Sequence, residues 1–224
     1  MKRKVPLVTG EIYHVISKSI ANFVIFNNDN EFLRMRNLFK YYQLKNPPYK
    51  FNYFVKTKLK ENEEDFDNYF SLHLFNKEKL VQIIAYCIMP THLHLILKQL
   101  REEGISIFIG NVLNSYSRYF NTKHKRRGPL WEGKFKNILV KTDEQLHHLT
   151  RYIHLNPTSA RLVNKPEEWL YSSYLEYLGK GKEINRICYY EDLIDISASS
   201  YRNFVEDRIS YQKELEKIKH LILE

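Results

Sequence analysis

The sharpest hydrophobic pattern in the chain lies at residues 83–97, IIAYCIMPTHLHLIL, where two apolar runs flank the break Met89-Pro90-Thr91. The first run, 83–88, is rich in β-branched and aromatic side chains and too short for a helix, which predicts a buried strand. The second run is predicted to be its partner strand. Strand side chains alternate between faces, so His92 and His94 share one face while Leu93, Leu95 and Leu97 share the other. Earlier in the chain, Tyr13, Val15 and Ser17 alternate with His14, Ile16 and Lys18, predicting a strand over 10–19. Phe32, Met35, Leu38 and Phe39 fall on one face of a helix over 31–42 that Pro47-Pro48 stops. A second amphipathic stripe, including Ile105, Phe108, Ile109, Val112 and Tyr116, predicts a helix over 102–121. A strand follows at 134–140. Thr142-Asp143-Glu144 then caps a helix running from 143 to about 155, where Pro157 ends or kinks it. Strand, helix, strand pair, helix, strand is the order of an α+β fold: a ferredoxin-like antiparallel sheet with helices on one face.

Two stretches interrupt this pattern. Residues 49–79 are expected to form an excursion, with a strand at 49–55, a charge-rich loop at 56–67 and a short aromatic piece at 68–75. Beyond 178, helices are predicted over 190–196 and 200–223, the latter carrying Phe204, Tyr211, Leu215, Ile218 and Ile222 at helical spacing. The chain therefore divides into a domain at 1–178 and a C-terminal helical extension at 179–224. The extension's apolar stripe serves either as core or as a docking face, so monomer and homodimer both stay open.

Charge changes the picture more than composition does. Thirty-five Lys and Arg against 26 Asp and Glu give +9, and 17 Tyr with 13 Phe make the chain rich in rings. A basic, aromatic chain suits a polyanion, above all single-stranded nucleic acid on which rings stack. Lys123, Lys125, Arg126, Arg127, Lys134 and Lys136 interleave with Trp131 and Phe135, which is either a solvated basic loop or a track for single-stranded or hairpin DNA. Two cysteines, Cys87 and Cys188, make no disulfide framework and fit a reducing cytosol. No run of about 18 apolar residues is present and the N-terminus lacks a secretory leader, so a cytoplasmic, nucleoid-associated protein with no membrane partner is expected.

The candidate chemistry starts from His92 and His94. Same-face neighbours on a strand lie roughly 7 Å apart, so both imidazoles can reach one ion, although the pair is equally readable as ordinary half-buried histidines. Tyr152 and Asn156, at i and i+4 of the helix from 143, share a face, with His148 one turn earlier as a possible proton relay and Arg151 as a phosphate contact.

MPTHLHLIL, LWEGKFK, RYIHLNP and WLYSSY stand in an order that resembles the single-tyrosine HUH transposases, particularly the REP-associated tyrosine transposases. HUH denotes His, a hydrophobic residue, His; here these are His92, Leu93 and His94. The resemblance spans about residues 13–174. It implies that His92 and His94 are metal ligands, that Asn156 supplies or supports a third, and that Tyr152 is the nucleophile. The insertion-sequence branch has glutamine where Asn156 stands, so the chain looks more like the REP-associated branch. The implied function is a DNA transposase that cleaves and rejoins single-stranded, hairpin-containing DNA through a 5′-phosphotyrosine, with Mg²⁺ or Mn²⁺. Two other readings compete: a catalytically silent, transposase-derived nucleic-acid-binding protein, and a 2H-type phosphoesterase in which His148-Leu149-Thr150 is one of two strand motifs.

Overall fold

The computed structural model describes residues 6–61, 65–180 and 185–209. The predicted order appears as β1 (Ile12–Lys18), α1 (Asp29–Tyr42), β2 (Val81–Met89), β3 (His92–Gln99), α2 (Gly104–Lys123), β4 (Lys136–Val140) and α3 (Asp143–Ser159), followed later by α4 (Ala198–Glu206). The four strands form one antiparallel sheet in the order β2-β3-β1-β4.

Register sorts the side chains onto two faces. Tyr86, Leu95 and Val15 line up across β2, β3 and β1. They lie beneath α1 and α2, where Phe39 packs its ring 5.8 Å from Tyr86 and 6.3 Å from Phe108. This is the apolar core face, and the two long helices share it. The opposite face carries His14, Ile16 and Lys18 of β1, His92 and His94 of β3, and Lys136 of β4. α3 covers that face. Thr142 accepts the backbone N–H of Gln145 at 3.1 Å to open α3, and Asp143 and Glu144 complement the positive end of the helix dipole. At the start of α2, a Cβ on Gly104 would lie 2.4 Å from the Leu80 carbonyl oxygen, so only glycine lets the helix begin this close to β2.

The outer edge of β2 is closed by chain from far downstream. Ile88 N–H donates to the Tyr171 carbonyl, Ser173 N–H to the Tyr86 carbonyl and Tyr189 N–H to the Ile83 carbonyl, each at 2.9 Å.

The structure departs from the sequence reading in several places. Helices pack on both faces of the sheet, α1 and α2 on one and α3 on the other, and not on one face alone. α3 runs through Pro157 to Ser159 instead of ending near 155. Proline removes a single donor there, while Ala160 N–H still reaches the Asn156 carbonyl at 2.9 Å and Thr158 Oγ1 reaches the Leu155 carbonyl at 2.8 Å. The expected strand at 49–55 is helical, as is most of the described excursion, in short turns at Phe51–Tyr53, Phe54–Lys58, Leu59–Glu61, Phe66–Tyr69 and Phe70–Leu74. The rings that drive this, Phe51 with Phe54 and Phe66 with Phe70, sit at helical spacing, and both Phe51 and Phe54 pack on Tyr41 of α1. The helix expected over 190–196 is only a turn, closed by Ile194 N–H on the Tyr190 carbonyl at 2.8 Å. The helix expected over 200–223 is interrupted early: α4 ends at Glu206 and a turn follows at 207–208, while Tyr211, Leu215, Ile218 and Ile222 lie outside the described residues. Among the described residues no helix is long and apolar enough to cross a membrane.

Candidate active site

Antiparallel pairing sets Lys18 opposite His92 and Ile16 opposite His94. One step further along β1, His14 reaches across: its Nε2 lies 3.0 Å from His94 Nδ1, with the rings stacked at 5.3 Å. The rings of His92 and His94 are 5.0 Å apart, and Thr91 Oγ1 lies 2.9 Å from His92 Nδ1. Three imidazoles thus share one patch. His14 was the residue the sequence reading missed. Its place in the alternation of β1 was visible, but the pairing of β1 with β3 was not.

Above the patch, α3 sets the ring of Tyr152 edge-on to His94 at 5.9 Å and to His14 at 6.3 Å. Tyr152 is 37% exposed, so a large substrate can meet it from solvent. One turn on, the buried side-chain nitrogen of Asn156 has no hydrogen-bond partner. An amide's oxygen and nitrogen are interchangeable by a flip, so this orphaned position suits an acceptor turned toward a cation.

Burial holds the histidines neutral. It lowers His14 and His92 to about 4, with the Lys18 ammonium adding to the effect on His92. It takes His94 well below its ordinary range, helped by His92, His14 and Lys18. Neutral imidazoles are poor bases in this state but good metal ligands. Among the described residues no group of three or more His, Cys, Asp and Glu is placed to hold a metal. His92 and His94, each with its Nε2 unengaged among the described residues, and the orphaned Asn156 amide are the groups that could hold a cation.

The other predicted site residues scatter. His148 Nδ1 lies 2.7 Å from Arg151 Nη2, and its Nε2 lies 3.8 Å from Glu144. The Arg151 guanidinium lies 4.2 Å over the Phe204 ring and donates to the Phe204 carbonyl at 3.3 Å, so both residues engage α4. Lys123 is ion-paired at 2.7 Å with Glu31, a buried carboxylate held down to about 2 against its own burial by Lys123, the Asn27 backbone and His124. Lys125, Arg127 and Lys134 are exposed, and Lys136 lies on the histidine face beside Ile16. Trp131 corrects the expectation of a stacking residue: it is 9% exposed and its indole N–H donates to the Leu113 carbonyl at 3.2 Å, so it belongs to the core. His154 is buried with Nδ1 2.6 Å from Tyr201 Oη and Nε2 2.7 Å from Ser173 Oγ.

A His-Leu-His strand inside a four-stranded antiparallel sheet, with a helix-borne tyrosine set over it, is the arrangement that the resemblance to the single-tyrosine HUH transposases implies. The family model "Transposase IS200 like" matches residues 55–156, which include His92, His94, Tyr152 and Asn156. A Haemophilus influenzae protein named as a REP-associated tyrosine transposase is 28% identical over 104 residues, 42% of this chain and 58% of that protein's length. A solved structure of a REP-associated tyrosine transposase bound to a REP hairpin superposes with a TM-score of 0.50 at 14% identity, covering 88% of this chain and 95% of that one, and shows the fold. The chain is thus similar to the IS200-like transposases over residues 55–156, and its fold is that of the solved REP-associated tyrosine transposase.

Proposed function

We propose that the protein cleaves and rejoins single-stranded, hairpin-containing DNA through a covalent 5′-phosphotyrosine on Tyr152. The observation that carries this reading is the edge-on seat of Tyr152 over His94 and His14, on the sheet face that also bears His92. A divalent cation held by His92, His94 and the Asn156 amide would polarise a phosphate oxygen and offset the developing charge. The phenol oxygen of Tyr152 attacks phosphorus, the bond from phosphorus to the 3′ oxygen breaks, and the phenol's proton ends on that oxygen as a 3′-OH. The ester keeps the phosphodiester energy, so attack by a second 3′-OH reverses the step without a nucleotide cofactor. Lys18 and Lys136 flank the histidines on the same face and suit the incoming phosphates. That the solved relative carries a REP hairpin supports a hairpin substrate.

The 2H-type reading loses ground because His148-Leu149-Thr150 lies within α3, where that chemistry needs a strand. Covalent capture separates the remaining readings. Incubated with Mn²⁺ and single-stranded hairpin DNA, the protein should give a DNA-linked band on a denaturing gel, and Tyr152→Phe should give none. A wild type that binds hairpins yet yields no adduct across a range of sequences would leave a silent DNA-binding protein.

A further inference from the structure

Burial of Trp131 removes one of the two rings that the sequence interleaves with the basic residues, and the structure offers another. Phe23 is 48% exposed at the end of the turn Ile20–Asn22. Two successive residues of that turn, Ala21 at φ 49 and Asn22 at φ 54, occupy left-handed conformations that disfavour side-chain-bearing residues. The turn therefore holds an aromatic ring at the surface with about half of it open to solvent. Phe23 is also not isolated. The Arg126 guanidinium lies over its ring at 5.5 Å, and Phe120 meets it edge to face at 6.0 Å. Arg126 is itself positioned, donating to Asn121 Oδ1 at 3.2 Å, between the exposed Lys125 and Arg127.

This cluster is fixed to the end of the sheet where the candidate site begins. Ile20 N–H donates to the Leu130 carbonyl at 3.1 Å and Glu132 N–H to the Lys18 carbonyl at 2.8 Å, tying the basic loop to β1. Lys18 is the cross-strand partner of His92. Lys18 stands only five positions before Phe23, so one short connection joins the histidine face to this cluster.

We propose that Phe23, with Arg126, is a stacking shelf for an unpaired base of single-stranded DNA next to the site of cleavage. The proposal rests on the DNA-processing reading above and adds to it the feature that tells single strands from duplex. The ring supplies a sequence-tolerant face that a base can cover only when it is unpaired, and Arg126 supplies the adjoining phosphate contact.

The test compares binding of a short fluorescent oligothymidylate, an abasic strand of equal length and a duplex, using Tyr152→Phe protein in EDTA so that no cleavage intervenes. With Phe23 intact, oligothymidylate should bind more tightly than the abasic strand. Phe23→Ala should weaken oligothymidylate binding about 5- to 100-fold, bringing it to the abasic level and leaving duplex binding unchanged, while Phe23→Tyr should stay within about twofold of the parent. Arg126→Gln should weaken all three probes and lower the salt dependence by about one ion. Equal affinity of the parent for the abasic and base-bearing strands, or a Phe23→Ala loss that is the same on duplex, overturns the shelf. Unchanged duplex affinity and melting temperature in Phe23→Ala exclude misfolding as the cause. The two readings fail separately: an adduct with no Phe23 effect removes the shelf alone, and a Phe23 effect with no adduct in active protein removes the transposase chemistry alone.

Discussion

Two sets of histidines, both held neutral by the loss of water, are used in opposite ways. His154 of α3 has both ring nitrogens engaged, by Tyr201 of α4 and by Ser173, whose hydroxyl in turn bonds the backbone of β2. His92 and His94 each have only their Nδ1 engaged, by Thr91 and His14, and their Nε2 atoms have no hydrogen-bond partner among the described residues. Depressed basicity therefore does not separate structural from functional imidazoles here, since all sit well below 6.5. The useful distinction is whether the second nitrogen already has a partner. A saturated imidazole joins elements; one with a spare lone pair can take a ligand.

The largest test of that contrast is on chemistry. His92→Ala or His94→Ala should lower adduct formation by roughly 10²–10⁴-fold, the range for losing one essential group, with hairpin binding largely kept. Equal loss of binding would make the pair structural. Mn²⁺ should also raise the melting temperature of the wild type but not of His92→Ala, a readout independent of activity. His14→Ala, acting through His94, should cost about 10–100-fold in Mn²⁺ affinity, and an unchanged affinity would remove its orienting role.

His154→Ala should show the reverse profile. Stranding the Tyr201 and Ser173 hydroxyls in the core should cost about 2–4 kcal/mol, lowering the melting temperature by roughly 5–15 °C, while adduct formation per folded molecule stays close to wild type. The same residue also sets a pH dependence. Burial lowers His154 to about 3 in the fold, against 6.5 for the ordinary group. Below 6.5 the unfolded chain takes up a proton that the folded chain refuses, so stability should fall as pH drops from about 6.5 towards 3. Denaturant midpoints should decline less steeply over that window in a His154→Gln variant than in the wild type, and identical slopes would mean His154 is not a major contributor.

What could be read from the sequence was local. Period-two alternation put His92 and His94 on one face, helical spacing put Tyr152 and Asn156 on another, and the order of elements gave the sheet. What could not be read depended on which strand lies beside which. His14 meets His94 across 80 positions of sequence, a contact that only the β1–β3 register creates. Trp131 and Arg151 looked alike as candidate surface groups, yet one is drawn under α2 and the other turned onto α4 by packing that no local pattern encodes. The excursion at 49–79 misled because its rings fit two periodicities over so few residues, and contact with Tyr41 decides between them.

The seam along β2 also imposes an order in time. Residues 171–173 and Tyr189, which close the outer edge of the strand, leave the ribosome long after Val81–Met89. Until they arrive, the nascent protein presents an open edge of unpaired peptide groups on its most apolar strand. A chain stopped before Tyr171 should therefore aggregate during synthesis even though every residue of the candidate site is already present.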